Sequence, residues 1–568
     1  MTPFPSLTVE RIDDLPLLLA QMERMGIREL LDRHFPVHGH WLGLSLGWTA
    51  TLWLAHLLSE GDHRLNQVEP WAVAHLTTLR QCTGHCVDRL DLTDDRLAAV
   101  LRALADDYHW AALESALTGR LLRVYDLAPA PVRLDMTTAS SEQLVTADGL
   151  FQFGYSKDRR PDQPQVKIAL ATLDPLGLPL ATTVVPGNQG DDPLYRPLIQ
   201  RVRATLGSGE RLYVGDAKMA TPETRAAVHQ AGDYYLCPLP IAQLPTALLD
   251  TYLTPVWEGT QPLTVVEAGA TPEEEPAVQG FEIAAPLAAE VDGATVAWTE
   301  RRLLLRSAAR ATSEAEALRQ RVTTAETSLR ALNEPGPGKP YTLHRERMEG
   351  AVRAILQRQG VAEWVQVAIE EVVQVRRVRR SQGQRAHRVT ERRWQARVTV
   401  DEAALETALR RLGWRAYATD APACRLPLAA VLPAYRGQWV IERGFERLKG
   451  RPLSLTPVYL QKEAHVLGLI RLLSLALRVL CLVEFAARRS LAATEETLAG
   501  LYAGQPRRAT PRPTSEALLR AFRGTSLVLL PSGPGPPRHV TPLNALQQRI
   551  LALLDLPADT YSRLSFDS

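Results

Sequence analysis

The sequence predicts a mixed α/β fold, and two observations carry that expectation. Between residues 132 and 239, short apolar segments alternate with helical patterns in the order three strands, helix, strand, helix, strand. On both sides of this block, apolar residues recur at helical spacing. The 568 residues leave room for roughly three or four domains. A hydrophobic share of 45% with 23% charged residues is ordinary for a chain that buries a core.

Residues 1–125 read as a helical N-terminal domain suited to DNA binding or dimerisation. Leu15, Leu18, Met22 and Met25 share one helix face, and Thr93 is placed to cap a helix from Asp94 through Leu104. The stretch Val132-Arg-Leu-Asp-Met-Thr137 reads as a strand, with two more at 166–173 and 178–185. The linking Asp174-Pro-Leu-Gly177 suits a type I turn. Residues 191–206 read as a helix, and Arg211-Leu-Tyr-Val-Gly215 as a fourth strand ending at Asp216. A helix at 221–231 has Pro222 in its first turn, and a fifth strand spans 233–239. Together 126–240 form the first part of a core.

Residues 241–410 read as a β-rich insertion. Strands are expected at 263–268, 281–285 and 295–306, then a helix at 313–332 opened by a Ser313–Glu316 capping box. Leu318, Val322, Ala325 and Leu329 line one face of that helix, and Asn333-Glu-Pro-Gly-Pro-Gly-Lys-Pro340 stops it. A hairpin over 372–400 turns near Gly383. The helical pattern returns at Ala434, so 411–490 is the second part of the core. Residues 491–568 are a basic, proline-rich linker and a helical tail, with a further breaker at 531–537.

Bulk charge decides little. The net charge is +2, so any footprint on nucleic acid must be local. Cys82, Cys86, Cys237, Cys424 and Cys481 form an odd, scattered set, which reads as reduced thiols. Cys82, His85 and Cys86 lack a second ligand pair at zinc-site spacing, so loop or core thiols are expected. Met1 to Asp14 shows no basic start followed by an apolar run, so no signal peptide is expected. The most apolar stretch, 467–486, is interrupted by Arg471, Arg478 and Glu484. It reads as a buried helix with one polar stripe rather than a membrane span.

Asp135 and Asp216 are expected at the C-terminal ends of strands, where ligands gather in an α/β sheet. Two carboxylates brought together there repel unless a cation lies between them. Mg²⁺ takes oxygen ligands and shares its shell with substrate phosphate. A strand-end Asp more commonly caps the next helix, so the pair needs a third residue. Residues 435–449 offer one: Tyr435-Arg-Gly-Gln-Trp-Val-Ile-Glu442-Arg-Gly-Phe-Glu-Arg-Leu-Lys449. Tyr435, Glu442 and Lys449 are spaced by seven and fall on one helical stripe with Gln438, while Ile441, Phe445 and Leu448 form an apolar face. The plain alternative is an amphipathic helix with a solvated charged face.

This stretch resembles the signature of bacterial insertion-sequence transposases: Tyr, two residues, Arg, three residues, Glu, six residues, Lys. Gln438 stands where many members have Arg. The resemblance extends to Leu134-Asp135-Met-Thr137, Gly154-Tyr-Ser-Lys-Asp158, Gln165-Val-Lys167, Pro186-Gly-Asn188, Val214-Gly-Asp216, Met219-Ala-Thr221 and Pro457-Val-Tyr459, in the family's order, over residues 130–485.

The resemblance implies a ribonuclease H-like mixed sheet with flanking helices and the insertion before the Glu-bearing helix. It implies that Asp135, Asp216 and Glu442 bind Mg²⁺, with Mn²⁺ substituting. Tyr435 and Lys449 would hold backbone phosphate, with Gln438 assisting more weakly than an Arg fork. In related enzymes a Trp of the insertion stacks on a flipped base. Trp298 and Trp257 are the candidates here, against the commoner alternative of a core Trp. The implied partners are double-stranded DNA with terminal inverted repeats, target DNA and a second copy of the chain on paired ends, in the bacterial cytoplasm at the nucleoid. The alternative is a non-catalytic DNA-binding descendant.

Between Arg376 and Arg397 there are nine Arg and one acidic residue, Glu391. Arg376, Arg377, Arg379, Arg380, Arg392 and Arg393 are expected to give the hairpin one basic face toward the DNA backbone.

Overall fold

The computed structural model describes residues 7–565 apart from 38, 40, 129–130, 208, 270–275, 335–341, 343, 379–386 and 531–537. The expected breakers at 335–340 and 531–537, the turn at Gly383, and Arg379 and Arg380 lie outside the described residues.

The N-terminal region is helical, as expected, with helices from Leu15–Met25 to Asp107–Val124. Thr93 stands at the N-cap of Asp94–Leu104 with extended backbone, but its side chain makes no cap bond. This region is not a separate unit. One continuous apolar core runs from Ile12 to Leu564. Strand Thr8–Arg11 pairs antiparallel with Ser526–Leu529, so the N-terminal helices and the tail close on each other. Sequence periodicity shows the helices at Leu15–Met25 and Asp94–Leu104, but the pairing joins segments some five hundred residues apart and leaves no local mark.

Nine strands form the central sheet. In chain order they are β1 (Val132–Ser140), β2 (Gln165–Leu173), β3 (Leu178–Pro186), β4 (Leu212–Val214), β5 (Tyr234–Pro238), β6 (Thr264–Glu267), β7 (Val278–Val291), β8 (Ala294–Ser307) and, after a separate hairpin of β9 (Val365–Val378) and β10 (His387–Val400), β11 (Trp414–Thr419). The spatial order is β3-β2-β1-β4-β5-β11-β8-β7-β6. β1, β4 and β5 run parallel, and β2 and β3 run antiparallel to their neighbours. Helices α1 (Tyr195–Leu206), α2 (Pro222–Gln230) and α3 (Thr246–Trp257) follow β3, β4 and β5. The β2–β3 turn closes through the Gly177 N–H to the Leu173 carbonyl at 2.9 Å. That bond spans one residue more than the type I turn expected of Asp174–Gly177, and Gly177 adopts φ +67°.

The expected insertion divides in two. β6, β7 and β8 continue the central sheet, because β11 pairs with β5 on one side and β8 on the other. The remainder has its own core: α4 (Ala308–Arg330), α5 (Arg345–Gln359) and α6 (Glu402–Arg410) pack on the β9–β10 hairpin. Leu318, Val322, Ala325 and Leu329 are buried there. α4 begins five residues before the expected capping box. Its N-cap is Ser307, accepting from the Arg310 N–H, so Ser313 lies inside the helix.

α7 (Leu428–Arg436) and α8 (Trp439–Lys449) replace the single helix expected over 435–449. Gly437 and Gln438 tighten the chain to i→i+3 bonds, with Gln438 N–H on the Tyr435 carbonyl and Val440 N–H on that of Gly437, both at 3.0 Å. A Cβ on Gly437 would meet the Arg133 guanidinium at 2.0 Å, so a larger residue here requires that guanidinium to move. Tyr435 therefore leaves the stripe that carries Glu442 and Lys449.

α9 (Glu463–Ala493) is long and apolar enough to cross a membrane, but 94% of its apolar window is buried inside the protein. Its polar groups find internal partners. Arg478 donates to Glu114 at 2.7 Å, and Arg471 to the Leu104 carbonyl at 2.8 Å. Glu484 takes Arg443, Arg447 and Arg488. Burying a charge without such a partner would be strongly destabilising.

Candidate active site

Asp135 lies mid-strand in β1 rather than at its end, because β1 continues to Ser140 against β2. The parallel register with β4 pairs Val132 with Tyr213 and Arg133 with Val214. Asp216, two residues past β4, is thereby level with Asp135. The two carboxylates feel each other. Burial pushes the Asp135 carboxyl up to about 6, opposed by the Lys157 ammonium and the Met136 N–H, with Asp216 pushing it further up.

Each aspartate is held by one oxygen. Asp216 Oδ1 accepts from the Tyr195 hydroxyl at 2.7 Å and the Lys218 N–H at 2.8 Å. Asp135 Oδ1 accepts from the Met136 N–H at 2.7 Å, with Lys157 Nζ at 3.5 Å. Gly215 permits this packing, since a Cβ there would meet Met219 Sδ at 2.6 Å and the Tyr195 ring at 3.0 Å.

α8 crosses β1 along the strand. At its start Gln438 Nε2 donates to the Leu134 carbonyl at 3.3 Å, while its Oε1 is buried without a hydrogen-bond partner. At its end Lys449 donates to Asp158 at 2.6 Å. Asp158 belongs to a loop whose Lys157 N–H donates to Thr138 Oγ1 on β1 at 3.0 Å. Glu442 sits between these ends, exposed, in the first turn of α8, with no hydrogen bond or ion pair on its carboxylate among the described residues. Tyr435 lies near the end of α7, edge-on to Tyr417 at 5.1 Å. Burial pushes the Tyr435 hydroxyl up to about 12, with Tyr417 and Asp216 adding to it.

The donor set suits a hard divalent cation in part. Asp135 in β1 and Asp216 just past β4 offer oxygen ligands, and their mutual repulsion is what a cation relieves. Among the described residues, no group of three His, Cys, Asp or Glu side chains is gathered closely enough to hold a metal. Cys82, His85 and Cys86 form no such group either.

Trp298 is buried, with its indole N–H on the Tyr235 hydroxyl at 2.9 Å and its ring against His229. It is committed to the core rather than offered to a base. Trp257 is half-buried at the end of α3 among apolar neighbours. The β9–β10 register splits the arginines between two faces. Arg388 and Arg392, the latter opposite Val373, share one face; Arg393, opposite Val372, and Arg397, opposite Ala368, share the other, and the side chains of Arg376 and Arg377 lie outside the described residues. The expected single basic face is therefore absent among the described positions.

Sequence reasoning missed Tyr195, Lys157, Asp158 and Asp191 as residues of this site. Lys157 and Asp158 lie in the Gly154–Asp158 motif, which offered a signal without a role. Tyr195 and Asp191, at the start of a helix, gave none.

No protein-family model matches the chain, and no curated protein matches it. Among solved structures, a piggyBac transposase in a synaptic complex with hairpin DNA is similar over 91% of this chain and 82% of that chain, at 8% identity and a TM-score of 0.31.

Proposed function

We propose that the chain is a DNA transposase with a ribonuclease H-like core, cleaving at the ends of an insertion sequence and joining the freed 3′-hydroxyl to target DNA. One observation carries this reading. Asp135 in β1 stands level with Asp216, two residues past the neighbouring parallel strand β4, under a helix that carries Glu442 in its first turn. The strand and helix order supports the core, and the motif order along the chain supports the family.

Asp135 and Asp216 would hold Mg²⁺ or Mn²⁺, with Glu442 completing the set. Bound there, the metal would supply positive charge for the attacking and leaving oxygens of a phosphodiester. Tyr195 and the Lys218 N–H fix one oxygen of Asp216 and leave the other to bind. Lys449 and the Tyr435 hydroxyl would hold strand phosphates beside the carboxylates, and the arginines of β9 and β10 would hold backbone further out. A pair of chains on paired ends would bring both cuts together.

The test is to incubate the purified chain, with and without Mg²⁺, with duplexes covering the DNA that flanks its gene. Metal-dependent nicks at the border of a terminal inverted repeat, leaving a 3′-hydroxyl, support the reading. Binding without cleavage in either metal would make it a DNA-binding descendant.

A further inference from the structure

The Gly154-Tyr-Ser-Lys-Asp158 motif has no part in the mechanism above, yet two of its neighbouring side chains occupy the charged groups that mechanism needs. Lys157 Nζ lies 3.5 Å from Asp135 and 3.7 Å from Asp191, and donates to the Met136 carbonyl. Asp158 accepts the Lys449 ammonium on Oδ1 at 2.6 Å, while its Oδ2 is buried without a hydrogen-bond partner. Asp135 is a proposed metal ligand and Lys449 a proposed phosphate ligand. One dipeptide therefore places a cation on the first and an anion on the second.

Both contacts can be exchanged. The Lys157 side chain is 29% exposed, and the Lys449 and Asp158 side chains 21% and 19%, so neither pair is sealed in the core. Asp191 has a second cation, Lys167 at 2.5 Å, and stays compensated if Lys157 leaves. Asp135 has no second cation among the described residues. A divalent ion at Asp135 carries more charge than the Lys157 ammonium it would displace, and a backbone phosphate at Lys449 matches the single charge of Asp158 while its duplex brings neighbouring phosphates with it.

We propose that Lys157 and Asp158 are internal competitors for the site, Lys157 against the divalent metal and Asp158 against DNA phosphate. The proposal rests on the transposase reading for the roles of Asp135 and Lys449. Because the residues are adjacent, displacing one loosens the other, so metal and DNA favour each other's binding by equal factors. A strut with no competing role behaves differently: neutralising it weakens the site and lowers both affinities.

Three measurements on the full chain decide this. Mn²⁺ binding without DNA, by calorimetry, is expected to tighten about three- to tenfold in Lys157→Met and to stay near wild type in Lys157→Arg. Binding of random-sequence duplex in EDTA is expected to tighten by a similar factor in Asp158→Asn. Hydrogen exchange of the 154–158 amides in the unaltered protein is expected to speed up when Mn²⁺ or duplex is added, which covers a variant that does not fold. Unchanged or weaker affinities in folded variants, or amides equally protected in all conditions, would overturn the proposal. Mn²⁺ binding unaffected by Asp135→Asn would instead overturn the parent reading, and the duplex arm would still stand.

Discussion

Tyr195 donates its hydroxyl hydrogen to Asp216 Oδ1 at 2.7 Å, from the first turn of the helix that follows β3. With the Lys218 N–H on the same oxygen, this bond aims a carboxylate carried on a short loop after β4. A hydrogen bond to a charged group contributes roughly 1.5–3 kcal/mol. Tyr195→Phe keeps the ring against Gly215 and removes only the bond. Single-turnover cleavage is expected to fall about 10- to 100-fold, with the melting temperature nearly unchanged. Undiminished cleavage would show that Asp216 needs no such support.

The choice of glutamate on α8 is the second prediction. Direction does not separate Glu442 from Glu446, one turn apart. A pair of Glu446 with Lys449 does not separate them either, since Lys449 is taken by Asp158. What separates them is position along β1: Glu442 lies one turn past Gln438, which touches the Leu134 carbonyl. Glu442→Gln is expected to abolish strand cleavage in Mg²⁺ and Mn²⁺, and Glu446→Gln to leave most of it. The reverse result would move the helix by a turn and take Lys449's role with it.

The hairpin gives the third. Arg392 and Arg397 lie 3.5 and 3.8 Å from Glu371 and Glu370, so part of the basic charge is already compensated. Replacing Arg376, Arg377, Arg392 and Arg393 by Gln is expected to weaken binding to all duplexes alike. It should also flatten the slope of log affinity against log salt, by up to about 0.9 for each phosphate that is no longer neutralised. An unchanged slope assigns the hairpin to solvent.

The fourth concerns pH and stability. Asp14 is buried at the start of the first helix, with Ser59 donating to it at 2.6 Å, and burial pushes its carboxyl up to about 7. A raised acid holds its proton more tightly folded than unfolded. Its stabilising contribution is thus complete below about pH 4 and is lost as pH rises through 7, a loss on the order of a few kcal/mol. Asp14→Asn cannot ionise. Its melting temperature relative to the unaltered chain should climb between pH 5 and 7.5 and then level. A constant difference across that range would mean that Asp14 ionises as freely folded as unfolded.

Much of the fold was legible where the signal is local. The β2–β3 hairpin, the two strand–helix steps after it and the buried helix α9 follow from alternation, turn residues and helical spacing. Long-range pairing was not legible. β7 and β8 read as strands, but their place in the central sheet depends on β11, more than a hundred residues later. The break at Gly437 was hidden because the guanidinium packed against it, that of Arg133, lies three hundred residues away. The same limit applies to the site. Asp135, Asp216 and Glu442 were proposed from spacing and motif order, whereas Lys157 and Asp158 gain meaning only from partners on other elements.

The most direct measurement is metal-dependent cleavage of duplexes covering the DNA that flanks the gene by Asp135→Asn and Asp216→Asn, read beside their binding to the same duplexes. If the two carboxylates act together on one metal site, each variant should bind the ends as the unaltered chain does and cut neither in Mg²⁺ nor in Mn²⁺. Full cleavage by both variants would contradict the account at its centre.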